Sequence, residues 1–140
     1  MRRLSRLSSI GLALATLALF ATPASAQESE QVKIIFERPI PNVEGKSMVT
    51  AIVSYPPGGK SAAHHHAPSA FIYAYVLSGS IRSKVGNEPV KVYKAGESFY
   101  EEPGSHHTVS ENASAKEPAS LMAVFVVDSK HTALTIPDKK

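Results

Sequence analysis

From Val32 onward, residues that cannot continue a ladder recur every eight to twelve positions, and no segment between them carries a helical apolar stripe of useful length. "VKIIFE" is followed by a connection containing Pro and Gly, then by "SMVTAIVSY", which stops at "PPGG" (Pro56 to Gly59). "FIYAYVLSG" comes next. "IRSKV" and "PVKVY" flank Gly86-Asn87, a pair suited to a tight hairpin of the II′ type. "KAGE" and "PGS" turn the chain again on either side of "SFYEE", and "HHTVS" follows. "LMAVFVV" (Leu121 to Val127) is apolar at every position, as a central strand buried on both faces would be. Short strands at this spacing without helix make an all-β, antiparallel sandwich or small barrel.

That architecture turns position parity into an argument. In an extended chain the side chains at i and i+2 share a face, and the one between them points the other way. Of the three adjacent histidines in "HHH", His64 and His66 therefore point together and His65 points away. Two imidazoles so placed are a good half of a metal site, although on its own the triplet fits an exposed loop equally well. A second cluster, His106 and His107, opens another strand just after the Pro103-Gly104 turn. The same parity along "FIYAYVL" sends Ile72, Ala74 and Val76 inward with the histidines. Phe71, Tyr73, Tyr75 and Leu77 then form an outward stripe too apolar to leave in water. A neighbouring sheet, the N-terminal strand or a second subunit would have to cover it.

The chain has 140 residues, with 15 Lys plus Arg against 12 Asp plus Glu. Its first 26 residues read as a cleaved export signal. Arg2, Arg3 and Arg6 precede the apolar run Ile10 to Phe20, and "ASA" (Ala24 to Ala26) offers a small-x-small cleavage site. The three arginines carry the whole net positive charge, which leaves 12 of each sign in residues 27–140. The basic balance is thus no argument for a nucleic-acid partner or, after processing, a membrane partner. A periplasmic or secreted location is expected. Residues 27–140 suffice for one domain, with its core at about 32–127 and a polar, partly loose tail over 128–140. There is no cysteine, so neither thiolate ligands nor disulfides are available. Tyr55 and Tyr100 read as packing residues with wet hydroxyls, Asn112 as a turn residue, and His131 carries no assigned role. No nucleophile elbow or phosphate loop is present, so any chemistry falls to a metal.

"PPGGKSAAHHH…YVLSGS" resembles the first cupin motif, an H-x-H followed by a strand that ends in glycine, here Gly79. "GESFYEEPGSHH…N" resembles the second, running from glycine through Pro-Gly to histidine and then to Asn112. Both motifs in order cover roughly residues 56 to 127. The resemblance implies a double-stranded β-helix (jelly-roll) barrel holding a divalent transition metal. Carried over by position, His64, His66 and His107 are the ligands, and His106 stands at a non-ligand place. The departure is an absent glutamate: the family's carboxylate position falls on Ile72, and no acid lies between His66 and Ser80. Glu101, Glu102 or water must replace it. Parity allows only one of the two acids to face the metal, and Glu101, the strand residue, is the favoured candidate.

The resemblance thus implies a small metal-binding cupin using Fe, Mn, Ni, Cu or Zn. The expected activity is oxygenase-type chemistry on a small organic substrate in the barrel, in a homodimer. The alternative is a non-catalytic binding protein that captures a small molecule or the metal itself. A pocket lined by Ile72, Ala74, Val76 and Phe125 suits either.

Overall fold

The computed structural model describes residues 29–139, so the reading of residues 1–26 as an export signal lies outside the described residues. Ten strands follow one another without a helix among the described residues. They are β1 (Gln31–Pro39), β2 (Lys46–Tyr55), β3 (His64–His66), β4 (Phe71–Ser78), β5 (Ser80–Val85), β6 (Lys91–Lys94), β7 (Ser98–Glu101), β8 (His106–Asn112), β9 (Ala119–Asp128) and β10 (Thr135–Pro137). Two five-stranded sheets result, ordered β1-β2-β9-β4-β7 and β10-β3-β8-β5-β6, and every pairing is antiparallel. The fold is the antiparallel double-stranded β-helix.

Alternation produces the core. Val49 and Ala51 of β2, Ile72, Ala74 and Val76 of β4, and Leu121 to Val127 at odd positions of β9 are buried. The residues between them on β4 behave as parity requires: Phe71, Tyr73 and Leu77 are exposed and Tyr75 is half-buried. Gly79 closes β4 with φ +68°, and a Cβ there would lie 2.6 Å from the Pro118 carbonyl oxygen. Only glycine has both the conformation and the room.

Three expectations need correction. β9 is central, but its even-numbered residues are half-buried rather than buried, because no second layer covers that face among the described residues. The N-terminal strand does not cover it either, since β1 pairs edgewise with β2 and is exposed along its whole length. The connection between β5 and β6 turns at Gly86-Asn87 as expected: Gly86 has φ +54°, and the Glu88 amide donates to the Val85 carbonyl at 3.1 Å. The ladder between the two strands ends at Ser83 opposite Lys91, short of that turn.

The tail is the third correction. Thr135, Ile136 and Pro137 pair with His66, His65 and His64, which adds β10 to the edge of the histidine sheet. Leu134 packs against the core, and the Asp138 amide donates to the Ala63 carbonyl at 3.0 Å. Packing of Leu134 and the backbone pairing with β3 hold down a segment that its overall polarity had suggested was loose.

Candidate metal centre

β3 and β8 pair with His64 opposite His107 and His65 opposite His106. Side chains directly opposite one another share a face, so the sheet draws His64, His66 and His107 to its inner side and sends His65 and His106 out. His64 and His107 are buried and His66 is half-buried. The ring centroids of His64 lie 4.7 Å from His66 and 5.1 Å from His107.

The hydrogen bonds define which nitrogens face inward. His64 Nδ1 donates to the Ala62 carbonyl at 2.7 Å, and His66 Nδ1 donates to the Leu134 carbonyl at 3.0 Å. A carbonyl only accepts, so each neutral ring carries its proton on Nδ1 and turns a lone pair on Nε2 inward. Those two Nε2 atoms lie 3.2 Å apart. Facing lone pairs repel unless a cation lies between them. Two ligands at bond lengths of about 2.1 Å are separated by roughly 3.0–3.4 Å between right-angled and tetrahedral geometry, so the spacing fits one ion.

The carboxylate comes from across the sandwich. Glu101 ends β7 on the other sheet, opposite Ile72, so the strand that lacks the family's glutamate is the one that lies beside its replacement. Glu101 is buried and Glu102 is exposed, as parity predicts. Glu101 Oε1 accepts from His107 Nδ1 at 3.1 Å, and because Ser83 engages Nε2, His107 would meet an ion through Nδ1, with the ion taking the place of that proton. Oε2 lies 3.4 Å from His66 Nε2, is buried, and makes no hydrogen bond. A buried carboxylate oxygen without a donor, beside an imidazole lone pair, is what a cation would satisfy. The three imidazoles fit a divalent transition ion, and Glu101, beside His66 and His107, is placed to complete the set.

The protonation states agree. Burial pushes the His64 imidazole below its ordinary value, and neighbouring His66 and His107 push the same way, which keeps a neutral donor. Burial alone would raise the Glu101 carboxyl, but His107 and His66 outweigh it and hold it at about 2. It is an anion at any working pH.

Sequence reasoning missed several supporting residues. Ser83 Oγ sits 2.9 Å from His107 Nε2, brought there by the register shift between Lys84 and Val85. The Leu134 carbonyl, which orients His66, belongs to the segment read as loose. Tyr55 is buried and its hydroxyl is not wet: it bonds Ser110 Oγ at 2.8 Å and Ser61 Oγ at 3.0 Å, and burial raises its pKa. Tyr100, by contrast, is well exposed on the outer face, about 6.0 Å from Phe71 between rings. Asn112 is a buried strand end rather than a turn residue. Its amide donates to the Pro56 and Glu117 carbonyls at 3.0 and 2.7 Å, and its Oδ1 accepts from the Ser114 amide. A polar residue that ties two loops together had no signal beyond its place in the second motif.

The histidines open onto a cavity of about 90 Å³ walled mainly by Ala51, Ile72, Ala74, Phe99, Leu121 and Phe125, with Tyr55 and Ser110 among its polar residues. Val76 is fully buried but does not line it.

Comparison with known proteins supports the fold at once. Solved structures with the same architecture include a double-stranded β-helix protein from Klebsiella pneumoniae, 23% identical, covering 84% of this chain and 90% of that one at a TM-score of 0.61. The cupin domain of Cnp3 from Schizosaccharomyces pombe is 18% identical, covering 74% of this chain and 68% of that one at 0.58. An oxalate oxidase is 22% identical and covers 84% of this chain, which spans 57% of that protein, at 0.59. At these identities the likeness is one of fold. A search of curated proteins finds no significant match. The cupin-domain family profile matches residues 51–125, a span that holds the three inward histidines, Glu101 and most of both sheets; the chain belongs to the cupin family.

Proposed function

We propose that His64, His66, His107 and Glu101 bind one divalent transition ion (Fe, Mn, Ni, Cu or Zn) and that the protein is an oxygenase-type enzyme acting on a small organic substrate. The observation that carries this reading is the convergence of four donors on a small, mostly apolar cavity. A bound redox-active ion would supply Lewis acidity and open positions for a substrate and dioxygen. The chain's own residues do the rest. Ala62 and Leu134 carbonyls fix the His64 and His66 rings, Ser83 orients His107, and the Glu101 anion balances charge. Tyr55, kept protonated by burial and held by two serines, can donate a hydrogen bond into the cavity.

Size limits the substrate. About 90 Å³ is far below the roughly 300–1,000 Å³ of pockets for drug-sized ligands, so the substrate has only a few heavy atoms. Among the described residues no lysine or arginine lines the cavity, so a negative charge on the substrate would be met by the ion and by the Tyr55 hydroxyl. A small acid on the scale of oxalate, named for one structural neighbour, is within that limit. The same tightness favours a second reading, a non-catalytic protein that captures the ion with a few waters. Oxygen uptake by Fe- or Mn-loaded protein with small acids, diketones and small aromatics tests the proposal. Turnover with any of them supports the enzyme; silence across the panel together with tight metal capture supports the binder.

The leader-like residues 1–26 support export to the periplasm or beyond. The outer face of the first sheet carries exposed Met48, Phe71, Tyr73, Leu77 and Tyr100, which supports a homodimer formed on that face. Replacing both Tyr73 and Tyr75 with lysine should give monomers by light scattering, and a wild-type monomer at micromolar concentration would refute the dimer.

A further inference from the structure

The histidines that parity turns away from the centre also meet. His65 and His106 lie directly opposite each other on β3 and β8, with rings stacked at 4.1 Å between centroids and 6° between planes. Asp138, just beyond β10, reaches both. Its Oδ1 is 3.3 Å from His65 Nδ1 and its Oδ2 is 2.7 Å from His106 Nε2. The Asp138 amide bond to Ala63 holds the backbone beside β3, so the carboxylate is delivered by the sheet and not by a free end.

We propose that His65, His106 and Asp138 form a second, surface site for a divalent ion, with Zn²⁺ the fitting occupant. Two imidazole nitrogens and one carboxylate oxygen are a recurrent three-ligand set for zinc, with water completing the tetrahedron. One potential ligand atom from each residue lies within 4.8 Å of the others. An ion with bonds of about 2.0–2.2 Å draws such atoms to roughly 3.0–3.4 Å, a movement open to exposed side chains. The donors come from three strands of one sheet, β3, β8 and the end of β10. An ion there clasps the C-terminal strand to the histidine strand, next to the Leu134 carbonyl that orients His66. Cu²⁺ would compete for the same ligands. The proposal stands on the outward donors alone and does not depend on what the inner centre binds.

Equilibrium dialysis of tag-free protein against Zn²⁺, with elemental analysis, tests it. Wild type should bind an outer equivalent that survives His64→Ala/His107→Ala. His65→Ala, His106→Ala and Asp138→Ala should each weaken that equivalent at least ~10-fold, given that even supporting partners of a metal ligand are worth about 10- to 100-fold. His131→Ala should leave it unchanged. Should the inner double variant fail to fold, NMR of the wild type replaces it: Zn²⁺ should shift the imidazole resonances of His65 and His106 and leave His131 in place. Zn²⁺ binding that is indifferent to all three outer substitutions, or unshifted His65 and His106 resonances under saturating Zn²⁺, would overturn the proposal.

Discussion

The two faces of the β3–β8 ladder present the same chemistry in opposite surroundings. Inside, His64, His66 and His107 are held by fixed carbonyls, a serine and a buried carboxylate. Outside, His65 and His106 stack in contact with solvent and share a single exposed aspartate. Neighbouring positions in one sequence thus become a rigid donor set and an adaptable one. Burial makes the difference: it favours the neutral imidazole at His64 and makes every unsatisfied polar atom costly, whereas water satisfies the outer groups whether or not an ion binds.

The largest effect that could break this contrast is loss of an inner histidine. His107→Ala should abolish inner metal binding in elemental analysis, and His106→Ala, one residue away, should leave it intact. Equal losses in both variants would mean that the faces do not act separately. Glu101→Ala should weaken inner metal affinity about 10- to 100-fold in competition titrations with a chromophoric chelator, whereas Glu102→Ala, exposed next to it, should have no effect. An unchanged affinity in Glu101→Ala would leave three histidines and water as the site. Ser83→Ala should cost less, about 10-fold, because it orients His107 without donating to the ion.

Acid should act on the inner face of chelator-treated protein. His64 has a folded pKa below its ordinary value of 6.5, so the unfolded chain binds more protons below that value and stability falls as pH drops through it. Glu101 is depressed from 4.5 to about 2, so its contribution is complete above about 4.5 and is lost as pH falls toward 2. Both terms have the same sign. Urea midpoints should fall from pH 7 to pH 3, and Glu101→Gln should flatten the lower part of that profile. A midpoint that rises on acidification would contradict both assignments. The smallest effect is expected outside, where Asp138→Asn should barely move the midpoint in chelator-treated protein, since exposed ion pairs contribute little.

Much of this was legible in one dimension because strand parity is a local rule. The turn residues at Pro56 to Gly59 and Pro103-Gly104 bound the strands, and alternation then assigned His64 and His66 to one face, His65 to the other, and Glu101 rather than Glu102 to the interior. Tertiary structure decided what depends on register between distant strands. Ser83 meets His107 only through a shift in the β5–β8 ladder, and Glu101 faces the histidines only because β7 pairs with β4 on the opposite sheet. Likewise the segment after Asp128 is polar enough to read as loose, yet pairing with β3 makes it the strand that orients His66 and carries Asp138 to the surface histidines. The alternation of side chains is written into each strand by its backbone. Pairing partners are chosen by the free energy of the whole sandwich, and no single segment contains that information.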